Sequence, residues 1–280
     1  MDYKTRIIYA LLKSRLKTID TYASRAEEIQ DRQLRRILSS AAYTSTGIRY
    51  GFSRISSKEC FARNVPVRDY ESTQAEIERM LRGEKDILCP GRCTWFAKSS
   101  GTTNSKSKYI PPFLLPSFES SLYSSHPVPY RHLHYCHYQG GKDSLSLYLR
   151  NRPDSRFFTT KGLVLGGSHA PVSMNADIQV GDLSAILVEN MPVLGNCMRV
   201  PSKETLLMDE WTEKLKAVVR EVAHVRVGSL SGVPSWILVL IKDVLAATGR
   251  ETLSDVWPEL EVFFHGGISF APYRAQYEKL

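Results

Sequence analysis

A stretch dense in hydroxyl side chains, residues 96–108 (FAKSSGTTNSKSK), has the composition of a loop that binds phosphate. Serine and threonine hydroxyls and backbone N–H groups can converge on an anion, and a glycine lets the main chain come close to it. Lysines at the end of the stretch add electrostatic attraction. The candidate phosphate-binding residues are Ser99, Ser100, Gly101, Thr102, Thr103 and Lys106.

The same composition also fits a solvated linker, because serine and threonine are common in exposed loops. The chain lacks the pattern GxxxxGKS or GxxxxGKT, which disfavours a P-loop kinase or GTPase. Composition alone therefore leaves two interpretations open, a nucleotide-binding loop and a linker.

Several motifs along the chain, taken in order, resemble those of one enzyme family. Segment 95–111 reads WFAKSSGTTNSKSKYIP. The other stretches are 61–70 (FARNVPVRDY), 162–169 (GLVLGGSH), 181–192 (GDLSAILVENMP), 229–236 (SLSGVPSW) and 256–273 (VWPELEVFFHGGISFAPY). Together they are similar to the Gretchen Hagen 3 family of acyl-acid amido synthetases. This family belongs to the acyl-adenylate-forming superfamily, which also contains firefly luciferase.

The resemblance implies a ligase that uses ATP and Mg²⁺ to activate a carboxylic acid and then joins the acid to an amino acid. In the family, the acid attacks the α-phosphorus of ATP, pyrophosphate leaves, and an amine displaces AMP from the acyl-adenylate. Oriented hydroxyl and N–H donors stabilise charge on the phosphoryl oxygens. Motif matching assigns this nucleotide-binding role to Ser99, Ser100, Gly101, Thr102, Thr103 and Lys106.

The same resemblance gives three candidate substrate-binding residues. Gly266 and Gly267 follow a predicted strand that ends at Phe264, where the superfamily brings its backbone close to the nucleotide or the acyl group. Trp236 would line the acyl pocket. Structural interpretations stay open for all three, because paired glycines often form a turn and a tryptophan at a helix start is often part of the core.

A second glycine pair, Gly166 and Gly167, is followed by Ser168 and His169. The pair could approach a phosphate group, but a tight connection between strands explains it equally well. We therefore do not assign these residues to the site from sequence.

Length and composition predict a globular protein of one large domain or two small ones. The 280 residues are 42% hydrophobic and 24% charged, with a net charge of +8. The charge is scattered along the chain and no aromatic-basic RNA motif accompanies it, so nucleic-acid binding is not expected.

Features that would place the chain at a membrane or outside the cell are absent from the sequence. The N-terminal residues predict an amphipathic helix and not a signal peptide, and the apolar run 236–241 is too short to cross a bilayer. The five cysteines are odd in number and irregularly spaced, which is typical of reduced thiols. The expected location is the cytoplasm.

The hydrophobic pattern predicts an α/β fold with at least partly parallel strands. Residues 3–43 form a predicted helical pair, and strands are predicted at 162–165, 183–188, 225–227 and 261–264. Between the last two strands, a helix should start after Pro234 and stop near Gly249. A further helix is predicted from Trp211 to Val222.

The resemblance refines this to an incomplete N-terminal domain of the acyl-adenylate-forming fold, with a mixed sheet flanked by helices. We expect an N-terminal helical segment at residues 1–50 and a partial adenylate-forming domain at 51–280. Family members continue past the position of Leu280 with a Tyr/Ser/Glu motif, an acidic residue for the ribose and a small mobile domain. The expectation is a truncated chain that is inactive alone, with no pyrophosphate exchange into ATP.

One segment, residues 112–139, departs from the family pattern. It contains four prolines and four histidines, and its helix propensity is poor. The spacing of His132, His134, Cys136 and His137 matches no standard zinc site, so no bound metal is predicted there.

Two other classes of function remain open from sequence. The chain could be a non-catalytic nucleotide-binding or interaction module. It could also be part of an acyl-CoA ligase, which would share the first half-reaction and differ in the acceptor.

Overall fold

The structure, a computed structural model, describes residues 1–98, 108–111, 131–169, 175 and 177–280, without the side chains of residues 131–140. These residues form an α/β fold, in agreement with the predicted class. The strands are β1 (Trp95–Lys98), β2 (Tyr109–Ile110), β3 (Lys161–Val164), β4 (Gln179–Gly181), β5 (Arg199–Val200), β6 (Val227–Gly232) and β7 (Val262–His265).

The helices include the predicted N-terminal pair, and several are only one turn long. They are α1 (Tyr3–Asp20), α2 (Ala26–Ala41), α3 (Ser45–Arg49), α4 (Lys58–Asn64), α5 (Tyr70–Leu81), α6 (Arg131–Asn151), α7 (Leu183–Glu189), α8 (Val193–Met198), α9 (Lys203–Leu206), α10 (Trp211–Val222), α11 (Pro234–Thr248), α12 (Leu253–Val256) and α13 (Arg274–Tyr277). Short 3₁₀ turns lie at Phe52–Arg54, Phe157–Thr159 and Ala271–Tyr273.

The chain divides into two compact units. The first unit comprises Met1–Lys13, Ser146–His169 and Asp182–Leu280, and the second comprises Ser14–Leu145 and Ala170–Gly181. The predicted division into residues 1–50 and 51–280 stays a prediction.

The first unit is built on a parallel sheet with strand order β5-β3-β6-β7. Gly162 of β3 pairs with Ser229 of β6, and Ser231 of β6 pairs with Phe264 of β7. Most of β6 is buried, as expected for a parallel strand between two neighbours. The core beside the sheet includes the fully buried residues Leu163, Val218, Leu230, Ile237, Val244 and Trp257.

Helices α10 and α11 pack beside each other and follow the sequence prediction at both ends. The carboxylate of Glu210 accepts hydrogen bonds from the first N–H groups of α10. Pro234 occupies the first turn of α11, and Gly249, with φ of 64°, ends it in the left-handed conformation. Both predicted helices are confirmed.

Two local predictions were wrong. Residues 183–188 were expected to be a strand, but they form α7, whose buried face includes Ala185, Ile186 and Val188. A short apolar run cannot distinguish a buried strand from one face of a short helix. Poor helix propensity was expected throughout 112–139, yet α6 begins at Arg131, and residues 112–130 lie outside the described part.

The second unit contains a small mixed sheet with strand order β2-β1-β4. β1 is parallel to β4 and antiparallel to β2, with Lys98 opposite Tyr109. The two ends of the intervening segment therefore lie side by side. Buried residues around this sheet include Ile77, Met80, Phe96, Ile178 and Val180.

A nearly buried carboxylate, Glu76 on α5, sits between two arginines of the second unit. Arg49 Nη1 donates to Glu76 Oε1 at 2.7 Å, and Arg68 Nη2 donates to both carboxylate oxygens at 3.0 and 3.1 Å. Burial alone would raise the pKa of Glu76, but the hydrogen bonds from Arg68 and Arg49 outweigh it and lower the pKa from 4.5 to about 2. The ion pairs of Glu76 with Arg68 and Arg49 therefore stabilise the folded state at pH values above the ordinary pKa of a glutamate.

We expect Glu76→Gln to remove about 1–2 kcal/mol of stability at pH 7, allowing for solvent screening at the half-exposed Arg49. In the wild type this contribution should disappear as the pH falls from about 4.5 towards 2, and in the variant that pH dependence should be missing. Urea denaturation across this range measures it. The matched control is Glu78→Gln on the same helix, where the carboxylate is 41% exposed. Equal pH dependence in Glu76→Gln and the wild type would contradict the assignment.

None of the helices among the described residues is long and apolar enough to span a lipid bilayer.

Candidate functional site

The carboxyl ends of β3, β6 and β7 meet at one edge of the first unit's sheet, because these strands are parallel neighbours. In chain order, β3 is followed in this sheet by β5, which lies on the outer side of β3. β6 is followed by β7, which lies on the opposite, outer side of β6. Where the strand order reverses in this way, connections leave in opposite directions and a crevice opens at the carboxyl edge. The topology therefore points to the ends of β3 and β6 as a ligand site.

A pocket of about 190 Å³ lies at this position. Its wall combines the loop after β3, the residue before α7, and the first turns of α10 and α11. The lining residues are Gly167, Ser168, Asp182, Met208, Asp209, Trp211, Lys214 and Trp236. Such a mixture of apolar wall and a few polar groups is typical of small-molecule sites.

The loop after β3 is held in place by hydrogen bonds at successive residues. Gly167 N donates to Ser184 Oγ at 2.7 Å, and Asp182 N donates to the carbonyl of Ser168 at 3.1 Å. A Cβ atom placed on Gly167 would lie 2.5 Å from the Cβ of Asp182 and still closer to its carboxylate. A glycine at position 167 is therefore required by the close approach of Asp182.

Lys214 lies at the base of the pocket and is only 1% exposed. Its Nζ donates to the carbonyls of Gly166 at 2.8 Å and Gly167 at 3.0 Å. Burial lowers the pKa of Lys214 from 10.5 to about 8, while the carboxylates of Asp182 and Asp209 oppose this shift. Neither Lys214 nor the pair Gly166 and Gly167 was assigned to the site from sequence.

Two tryptophans form the apolar wall of the pocket. The rings of Trp211 on α10 and Trp236 on α11 have centroids 5.3 Å apart and planes inclined at 58°. Sequence analysis predicted Trp236 as a substrate-binding residue, and the structure places it in the pocket lining. Its role in binding stays a prediction.

The other two predicted substrate-binding residues lie at the same edge of the sheet but outside the lining of this pocket. Gly266 and Gly267 follow β7 and are exposed. Gly267 has φ of 83°, and a Cβ atom there would come within 3.3 Å of Val233, just before α11. A turn with positive φ explains this glycine, and a contact with substrate stays a prediction.

The predicted nucleotide-binding residues Ser99, Ser100, Gly101, Thr102, Thr103 and Lys106 lie outside the described residues. The side chains of His132, His134, Cys136 and His137 are not described either. Among the side chains that are described, no group of three or more His, Cys, Asp or Glu residues is placed to hold a metal ion.

The open parallel sheet with flanking helices makes the first unit an α/β domain, an architecture in which ligands typically bind at the carboxyl edge of the sheet. The chain belongs to the GH3 family: the model of the GH3 family N-terminal domain matches residues 15–280. The resemblance seen in the sequence is therefore confirmed.

The chain is similar in sequence to plant amido synthetases and ligases. The chain is 34% identical to indole-3-acetic acid-amido synthetase GH3.6 of Arabidopsis thaliana over 35% of this chain and 16% of the relative. It is 31% identical to the 4-substituted benzoates-glutamate ligase GH3.12 of the same plant, over 34% and 16% of the two chains.

A solved structure shares the fold. The GH3.15 acyl acid amido synthetase superposes with a TM-score of 0.71 at 16% identity, covering 95% of this chain and 53% of that chain. The chain thus spans about half the length of the solved relative it matches. The predicted fold class is confirmed.

Proposed function

We propose that this chain supplies the nucleotide-binding and acid-binding part of an acyl-acid amido synthetase. The observation that carries the proposal is membership in the GH3 family over residues 15–280, because the named relatives are amido synthetases and ligases. The proposed substrates are a carboxylic acid and an amino acid.

The geometry of the first unit supports an acid site at the carboxyl edge of the sheet. The pocket has an apolar wall, Trp211 and Trp236, which suits the body of an organic acid. Ser168 and Lys214 contribute polar groups at its other side. Helix α11 begins here without a side-chain cap, and its positive N-terminal end favours a negatively charged group.

A carboxylate resists attack by an amine because it carries negative charge and has a poor leaving group. ATP, accompanied by Mg²⁺, would supply the adenylyl group that overcomes this resistance. Mg²⁺ would be held mainly by the phosphates, with one or two protein carboxylates besides. The chain's own residues would bind the acid, orient it and limit access of water.

The segment between β1 and β2 is the proposed nucleotide loop. Its ends meet because Lys98 and Tyr109 are paired, which suits a loop that closes around phosphates. We further propose that the protein works in the cytoplasm, which agrees with the free thiols of Cys60, Cys89, Cys93 and Cys197.

The nucleotide assignment predicts weak binding of ATP with magnesium to the 280-residue chain. We expect Ser100→Ala combined with Thr102→Ala to abolish the calorimetric heat, since the variant loses two donors to phosphate. Ser105→Ala with Ser107→Ala removes two hydroxyls from the same segment and is the matched control. Binding that survives the first pair unchanged would rule out this loop as the phosphate site.

A further inference from the structure

Lys214 is an unusual residue for its position on α10. It lies on the buried face of the helix with Leu215, Val218 and Val222, and packing of this face against the sheet stabilises the first unit. Placing an ammonium group there costs free energy unless the group is paired. The lowered pKa of Lys214 reflects that cost.

The partners of Lys214 are backbone carbonyls and not carboxylates. One Nζ atom binds the carbonyl oxygens of two successive residues, Gly166 and Gly167. Both residues follow β3, and Gly167 lines the pocket together with Ser168. A single side chain therefore fixes the orientation of two adjacent peptide groups at the ligand site.

The charge of Lys214 also sets how negative the pocket is. The lining carries one lysine and two carboxylates, Asp182 and Asp209. The uncapped N-terminus of α11 adds about half a positive charge, whereas the carboxylate of Glu210 already compensates that of α10, so the total is about −0.5 with the lysine charged and about −1.5 with it neutral. An anionic ligand is thus repelled far less while Lys214 keeps its proton.

We propose that Lys214 is the positioning residue of this pocket for a carboxylate ligand: it fixes the loop at Gly166 and Gly167, of which Gly167 lines the pocket, and its positive charge offsets Asp182 and Asp209. The inference rests on the proposed function, because that function makes the ligand a carboxylic acid. Among the described residues, Asp182 before α7 and Asp209 before α10 are the charged groups that act on Lys214, and α11 contributes the uncharged Trp236.

Linkage gives the sign of the pH dependence. Without a ligand the pKa of Lys214 is about 8. A bound carboxylate stabilises the protonated form of the side chain and so raises this pKa. The complex then holds more protons than the free protein above pH 8, so affinity must fall as the pH rises through this range. A simple aromatic acid is ionised throughout and adds no pH dependence of its own.

The test uses 4-fluorobenzoate as the probe and ¹⁹F NMR to follow its binding to the 280-residue chain. In the wild type we expect affinity to be constant below about pH 7.5 and to fall about tenfold by about pH 9.5. Lys214→Met should bind at least about tenfold more weakly at pH 7 and show no pH dependence. Lys216→Met is the matched control, because Lys216 is exposed on the same helix and pairs with Glu213.

Hydrogen exchange tests the positioning role without a ligand. At the same pH, we expect amides in the peptide covering residues 165–169 to exchange at least about fivefold faster in Lys214→Met than in the wild type. The exchange rates of the amides in β6 should be unchanged. Lys216→Met should leave both peptides unchanged. Unchanged exchange at 165–169 in Lys214→Met overturns the positioning role.

The remaining outcomes are also decisive. A wild-type affinity that stays flat from about pH 7 to 9.5 overturns the electrostatic role. If Lys214→Met does not fold, Lys214→Arg replaces it, and retained binding without pH dependence supports the proposal, since arginine stays charged throughout. Failure of 4-fluorobenzoate to bind the wild type at any pH contradicts both the proposed acid site and the electrostatic half of this inference, while the exchange result still judges the positioning half.

Discussion

Replacing Trp257 by alanine is expected to lower the free energy of unfolding by about 3–5 kcal/mol, a large share of the stability of any domain. Trp257 is 1% exposed, and its indole lies in the core of the first unit beside the sheet. Its Nε1 donates to the carbonyl of Val222 at 3.3 Å, at the end of α10. The substitution therefore leaves a large cavity and removes the indole hydrogen bond, while the carbonyl of Val222 keeps its bond from Val225 N.

Urea denaturation followed by far-UV circular dichroism measures this loss. Trp257→Phe should recover part of it, because an aromatic ring refills most of the cavity but cannot donate to Val222. Trp211→Ala is the matched control, since this indole is 36% exposed and its loss should cost much less. A loss below about 1 kcal/mol for Trp257→Ala would mean that the core around α10 and β7 does not depend on this residue.

The helices of the first unit could be predicted because local and tertiary preferences agree in them. The apolar residues of α11 recur at helical spacing, its first turn holds Pro234, and Gly249 follows its last residue. These signals lie within the helix and at its ends, and they do not depend on residues far away in the sequence. The alternation of helices and strands likewise predicted parallel pairing, which the sheet of the first unit has.

The neighbours of each strand could not be predicted in the same way. β3 pairs with β6 across more than sixty residues, and a Cβ atom on Gly162 would lie only 3.0 Å from Ser229 Oγ on the partner strand. No local pattern specifies such a pairing. For a similar reason α7 was predicted as a strand, because its short apolar run fits either element until its packing is known.

In the candidate site, too, one residue could be predicted from sequence and another could not. Trp236 was found because the segment 229–236 resembles the family. Lys214 was missed because a lysine in an amphipathic helix is normally assigned to the solvated face. A signal was present, since position 214 lies one turn from Trp211 and Val218 and therefore on the apolar face of α10. A charged residue at such a position is a better indicator of a site than a glycine pair.

Among glycine-to-alanine substitutions in the candidate site, Gly167→Ala is expected to cause the largest loss of stability and of ligand binding. The new Cβ would lie 2.5 Å from the Cβ of Asp182, an atom fixed by the backbone, so the loop or the start of α7 must move. We expect a stability loss of about 2–3 kcal/mol, as in other overpacked sites. Displacement of the loop would also break the hydrogen bonds of Gly167 with Ser184 and Lys214.

Binding of 4-fluorobenzoate to Gly167→Ala should therefore weaken at least about tenfold, measured at pH 7 beside urea denaturation. Gly141→Ala on α6 is the control, because a Cβ atom there meets no atom within 4 Å and the residue does not line the pocket. Asp182→Gly removes the clashing atoms, and its own cost at α7 should be small because the Asp182 side chain makes no capping hydrogen bond. The double variant Gly167→Ala with Asp182→Gly should then be more stable than the sum of the two single losses predicts, since the contact that causes the first loss is gone. Additive losses would mean that Asp182 is not what requires a glycine at position 167.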